Sequence, residues 1–124
     1  MNEKKQVEKN EKLPSNKEIV SVIYKKTFEC YGVLGITRFD SQTRNDYPLL
    51  DEKKASLGII VTKTSTKTFN VDIYLVLANG VKLSETIFEY QKVMRYFLNK
   101  KFNNGCSRIN VFAMSVKEEK YENN

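Results

Sequence analysis

From Phe69 to Ala78 the chain alternates with a period of two, which constrains the fold more than any other stretch. Phe69, Val71, Ile73, Leu75 and Leu77 share one face of an extended segment, and that face must be core. The opposite face, Asn70, Asp72, Tyr74, Val76 and Ala78, starts polar and turns apolar, so the strand is central and partly covered on both sides. At Asn79-Gly80 the period changes. Ser84 is a suitable N-cap, Glu85 and Glu89 suit the positive end of a helix dipole, and Lys100 and Lys101 suit the negative end. A helix is expected over 84–102, burying Ile87, Tyr90, Met94, Phe97 and Leu98.

The rest of the chain supplies what this unit must pack against. Residues 1–14 are charged, bury little and read as a flexible tail; residues 118–124 read the same way. Between them, 15–117 form one domain. "SNKE", Ser15 to Glu18, has capping-box spacing, so a helix follows over about 16–31, burying Ile19, Val20, Ile23, Thr27 and Cys30 and stopped by Gly32. Val33 to Phe39 reads as a strand. A long polar connection through Pro48 comes next, and its length fits either a functional or a disordered segment. A strand beginning near Gly58 pairs with the 69–78 strand as a hairpin about Ser65-Thr66. After the second helix, "NNG" (Asn103 to Gly105) supplies a left-handed exit. The last strand sets Ile109, Val111 and Ala113 on one side and Phe112, Met114 and Val116 on the other.

The expected fold is α+β: two layers, with two helices on one face of a three- to four-stranded mixed sheet, in the order α-β-β-β-α-β. Two helices on one side bury both apolar stripes in the simplest way. If the last two strands are neighbours, the helix between them is a right-handed crossover and the pair is parallel.

Composition narrows the function. Among 124 residues there is no histidine, which removes the commonest general base and metal ligand; Ser-His-Asp and Cys-His constellations cannot form within this chain. Cys30 and Cys106 have no CxxC companion and read as apolar packers, a disulfide between them being the sharper alternative. No cofactor, catalytic residue or metal ligand is assigned. The net charge of +6 is spread among mixed signs and reads as a lysine-rich solvated surface. No apolar run is long enough to span a bilayer or act as a signal peptide, so a cytoplasmic protein without direct membrane insertion is expected.

Three further features carry candidate chemistry. "GVLG", Gly32 to Gly35, has the GxxG form of an RNA-clamping loop, but its middle is Val-Leu and a strand follows it. Lys92 and Arg95 on the second helix could meet phosphates. With Glu85 and Glu89 nearby and no interleaved aromatic platform, a solvated face is the stronger reading and RNA binding the alternative. Asp72 has no second acid or base at a readable spacing, so it reads as a solvated or hydrogen-bonded carboxylate.

The order of these joints resembles the alkaline shock protein family, the Gls-type general stress proteins of Gram-positive bacteria. The resemblance rests on Val71, Asp72, Ile73, Leu75, Val76, Gly80, Val81 and Ser84, on Gly32-Val33 closing the first helix, and on the alternating last strand; it covers about 16–117. Departures occur in 40–57 and at Ala78-Asn79. What the resemblance implies is a non-enzymatic cytoplasmic protein of the envelope stress response that works by association. Its implied partners are further copies in a homo-oligomer, a membrane-anchor protein holding it at the inner membrane face, or a protein of lipid metabolism. For such association the sheet face without helices offers Tyr74 and Val76, joined by Phe112 and Met114 if the register allows.

Overall fold

The structure, a computed structural model, describes residues 12–118. It contains α1 (Asn16–Thr27), β1 (Val33–Ile36), the one-turn α2 (Ser41–Arg44), a 3-10 turn (Glu52–Leu57), β2 (Ile59–Lys63), β3 (Phe69–Ala78), α3 (Leu83–Lys101) and β4 (Cys106–Lys117). The tails expected over 1–14 and 118–124 lie mostly outside the described residues. Leu13, however, is tied in, its amide donating to the Thr66 carbonyl at 3.0 Å.

β3 is the organising strand. β4 pairs with it in parallel along its whole length, while β1 and β2 both run antiparallel to it. β1 lies opposite Leu75–Leu77 and β2 opposite Phe69–Ile73, so they are two pieces of one broken strand along the same edge. Tyr74 sits at the break, its carbonyl accepting from the Thr37 amide and its amide donating to the Gly58 carbonyl, both at 2.9 Å. A Cβ at Gly58 would run into the Thr37 carbonyl oxygen, so only glycine lets the chain re-enter the sheet there.

α1 and α3 cover one face. Ile19 and Ile23 from α1, Tyr90, Met94 and Leu98 from α3, and Val71, Ile73, Leu75 and Leu77 from β3 form one buried cluster. Each such side chain stabilises the fold by about 1.5–3 kcal/mol through burial. The two-layer α+β expectation and its element order are therefore borne out, including the parallel β3–β4 crossover.

Local chemistry explains where the boundaries moved. Ser15 Oγ accepts from the Glu18 amide at 3.2 Å and starts α1 as expected. α1 ends at Thr27 rather than 31, because the Glu29 and Cys30 amides tighten onto the Lys26 and Thr27 carbonyls. Gly32, at φ 81°, then makes the reversal into β1. α3 starts at Leu83 with Lys82 as N-cap and no side-chain cap, so Ser84 lies inside the helix. Its left-handed exit falls on Asn103 (φ 53°) and Asn104 (φ 62°); Gly105 is needed instead where a Cβ would come within 2.8 Å of the Lys67 and Phe102 carbonyls.

The 37–58 connection is folded. Leu50 and Ala55 are buried in the main core, and the Leu50 amide donates to the Ile36 carbonyl at 2.8 Å. Ser41 is buried beside Thr37, their hydroxyls 3.1 Å apart, and Asp51 caps the 3-10 turn through the Lys54 amide. Lys117 Nζ, at the end of β4, reaches the Tyr47 carbonyl at 2.7 Å. Gly35 pairs with Val76 and Lys117 with Ala78, so the Leu49 side chain at Gly35 and the Tyr47 carbonyl at Lys117 lie on the face away from the helices, whereas Leu50 and Ala55 turn back into the helix-side core beside α1.

Candidate functional site

That placement redraws the expected sheet-face site. Val76 has no exposed surface at all, so an outward apolar strip including it is corrected; its partner in β1, Gly35, faces Leu49 and Phe28. Tyr74 and Phe112 do lie side by side, their rings stacked at 4.8 Å with 16° between planes. Phe112 is exposed and Met114 half-buried. β4 is bulged between its pairings with Leu75 and Val76, which skips Met114 and sets Val116 opposite Leu77 instead of on the Phe112 face. A second bulge lies between its pairings with Phe69 and Asn70. Two bulges make the outer edge of β4 a poor template for strand addition. Below the aromatic pair, Asn110 Nδ2 donates to Asp72 Oδ1 at 2.9 Å, which gives that carboxylate a structural role.

The helical face is richer. α1 and α3 leave a groove between them with two lobes. One, about 570 Å³, is lined by Glu29, Cys30, Tyr31, Lys82, Glu85 and Glu89 among others. The other, about 530 Å³, is lined by Lys26, Lys92, Tyr96, Phe97, Lys100 and Lys101. Val93 belongs to both. Tyr31 is 86 % exposed and Tyr96 68 %, so the groove offers large aromatic surface to solvent. Its charge is polarised, with three carboxylates and Lys82 in the first lobe and four lysines in the second; Glu29 and Glu89 pair with Lys26 and Lys92 across the two.

A buried clamp holds the floor. Thr27 Oγ1 donates to the Ile23 carbonyl at 2.8 Å, and its lone pairs face the Tyr90 hydroxyl at 2.9 Å. Thr27 has one proton to give, so Tyr90 is the donor across the helices. Burial pushes the Tyr90 phenol well above its ordinary value. Thr86, a polar residue at an otherwise apolar helix position, is buried against the Gly32 turn. No signal in the sequence marked it.

The expected nucleic-acid pair is split. Lys92 lines the basic lobe, pairing with Glu89 at 3.7 Å and lying 5.5 Å from the Phe88 ring. Arg95 is not part of that lining, and its charge is felt by the Cys106 thiol. The helix does carry interleaved aromatics, contrary to the reading of its sequence: Lys100 lies over Tyr96 at 5.5 Å, and Lys26 reaches across from α1 over Phe97 at 4.9 Å. Spacing along one helix could not show the second pair. "GVLG" is no clamp loop; Val33 to Gly35 lie within β1, and Gly35 faces Leu49 and Phe28.

Neither cysteine is disulfide-bonded. Burial raises both thiols above their ordinary value, against the lowering effect of Lys26 on Cys30 and of Arg95 on Cys106. Among the described residues, no three acidic or cysteine side chains gather to hold a metal, and no helix is long and apolar enough to cross a membrane.

Two relatives extend over most of this domain. The chain is 26 % identical over 103 residues to the uncharacterized protein Spy1614 of Streptococcus pyogenes, covering 83 % of this chain and 84 % of that one. It is 22 % identical over 103 residues to the uncharacterized protein YloU of Bacillus subtilis, covering 83 % and 85 %. These distant likenesses point to a shared family. No family model matches the chain, and no solved structure does.

Proposed function

We propose that this chain is a non-enzymatic interaction protein of the alkaline shock, envelope stress type, acting in the cytoplasm by docking its α1–α3 groove on a protein surface. One observation carries the reading: a polarised groove with exposed Tyr31, Val93 and Tyr96 between two helices locked together by Thr27 and Tyr90. Aromatic anchors flanked by charge on a rigid frame suit protein recognition. Burial raises both thiols above their ordinary value and so lowers their thiolate character, which also fits a binding role. The occupant is a further copy, a membrane-anchor protein or a protein of lipid metabolism.

The test is capture from the cell of origin with the intact chain and with Val93→Arg, read by quantitative mass spectrometry. Proteins retained by the parent and lost by the variant support the reading. Identical captured sets overturn it.

RNA binding is the second reading, favoured by the four lysines and two aromatic rings of the basic lobe. Phosphate-dominated binding weakens steeply with salt and responds to Lys92→Ala more than to Arg95→Ala, because only Lys92 lines the lobe.

A further inference from the structure

Resting on the groove as a docking surface, we infer that its occupant is a second copy of this chain, bound with the two α3 helices antiparallel about a two-fold axis close to Val93. The groove is complementary to itself when reversed. α3 runs from Leu83 to Lys101, so its midpoint falls at Lys92, next to the one residue that both lobes share. Glu85 and Glu89 lie before that midpoint; Lys100 and Lys101 lie after it. The end of α1 and the turn after it set Lys26 in the basic lobe and Glu29 in the acidic one, the two paired with each other at 3.0 Å.

A two-fold axis between Lys92 and Val93 sets residue i of one helix near residue 185 − i of the other. Glu85 then meets Lys100, Glu89 meets Tyr96, and at the centre Val93 of each copy lies opposite Lys92 of the other. Each contact occurs twice, as an isologous interface requires. A parallel arrangement would set like charges together and align the helix dipoles, whereas the antiparallel one opposes both. Among the described residues Glu85, Lys100 and Lys101 make no ion pair within the chain, so their charges are available to a partner. Val93, 40 % exposed, and Tyr96, more so, give the contact apolar and aromatic surface near its centre, where Lys92 is already paired with Glu89 of its own helix.

The experiment is sedimentation of the full chain over a wide concentration range, with circular dichroism checking that each variant is folded. The parent forms a dimer and Val93→Arg is monomeric. Glu85→Lys and the double variant Lys100→Glu/Lys101→Glu each weaken the homodimer by about tenfold or more, because like charges then oppose at two symmetric points. Mixed together, these two variants form a heterodimer of near-parental strength, since both reversed pairs are again opposite in sign. A parent that is monomeric throughout overturns the assignment, as does a dimer indifferent to these changes, or a monomer that binds single-stranded RNA through the lysine lobe. If the parent is monomeric while Val93→Arg still loses captured proteins, the second copy is wrong and the docking surface stands. If it loses none, both fall.

Discussion

Replacing the two members of the buried clamp should give unequal costs, and their combination should reverse a sign. Thr27 and Tyr90 are almost wholly buried, and their hydroxyls are 2.9 Å apart. In Tyr90→Phe the threonine keeps its proton donation to Ile23, so only one bond is lost, costing about 0.5–1.5 kcal/mol. In Thr27→Val the phenol keeps a buried proton with no acceptor, which costs about 1–3 kcal/mol. Adding Tyr90→Phe to Thr27→Val removes that stranded donor, so the double variant should be as stable as Thr27→Val or more stable. Urea unfolding of all four proteins measures the cycle, and in thermal unfolding each kcal/mol corresponds to roughly 3–6 °C for a chain of this size. A Tyr90→Phe cost as large in the Thr27→Val background as in the parent would refute the coupling, because the two hydroxyls would then act independently.

Val76→Asp should destabilise by about 3 kcal/mol or more, since it places a carboxylate at a fully buried position, whereas Phe112→Asp, at an exposed position, should cost about 1 kcal/mol or less. Equal melting temperatures for the two would rule out that burial. On the alkaline side, Cys30 and Cys106 are raised from 9.0, and Tyr24, Tyr74 and Tyr90 from 10.0, in each case chiefly by burial. The unfolded chain therefore loses these protons first, so stability is complete below about pH 8–9 and falls as pH rises through and beyond those ordinary values. Thermal unfolding between pH 8 and 11 should show this decline, flattened above pH 10 in Tyr90→Phe. A melting temperature that rises over that range would contradict it.

Much of the fold was legible because its signals are local. The period of two from Phe69 to Leu77, the Ser15 cap, the Gly32 stop and the stripe of Tyr90, Met94 and Leu98 each follow from backbone geometry within a few residues. Together they gave the two layers, the helix positions and the parallel crossover. Boundaries slipped where a single amide chose between neighbouring carbonyls, as at the end of α1, and where Lys82 and Leu83 began α3 ahead of Ser84.

The sites were less legible, for reasons of distance along the chain. Phase alone put Val76 and Tyr74 on one open face, but whether a face is open depends on where a remote connection lies, and Lys117 reaching Tyr47 joins residues 70 positions apart. The bulge at Met114 changes which side chains share a face, and alternation cannot reveal a skipped residue. Lys26 over Phe97 and Tyr90 against Thr27 likewise join separate helices.

By itself, then, the sequence determined which segments are helix and strand and which of their faces seek burial, because propensity and periodicity are properties of neighbours in the chain. Tertiary structure alone decided that Val76 is buried on the far sheet face and that the charges of α3, Lys26 and Glu29 gather along one polarised groove. Those outcomes depend on how separate elements meet in space, and no short-range pattern encodes that meeting.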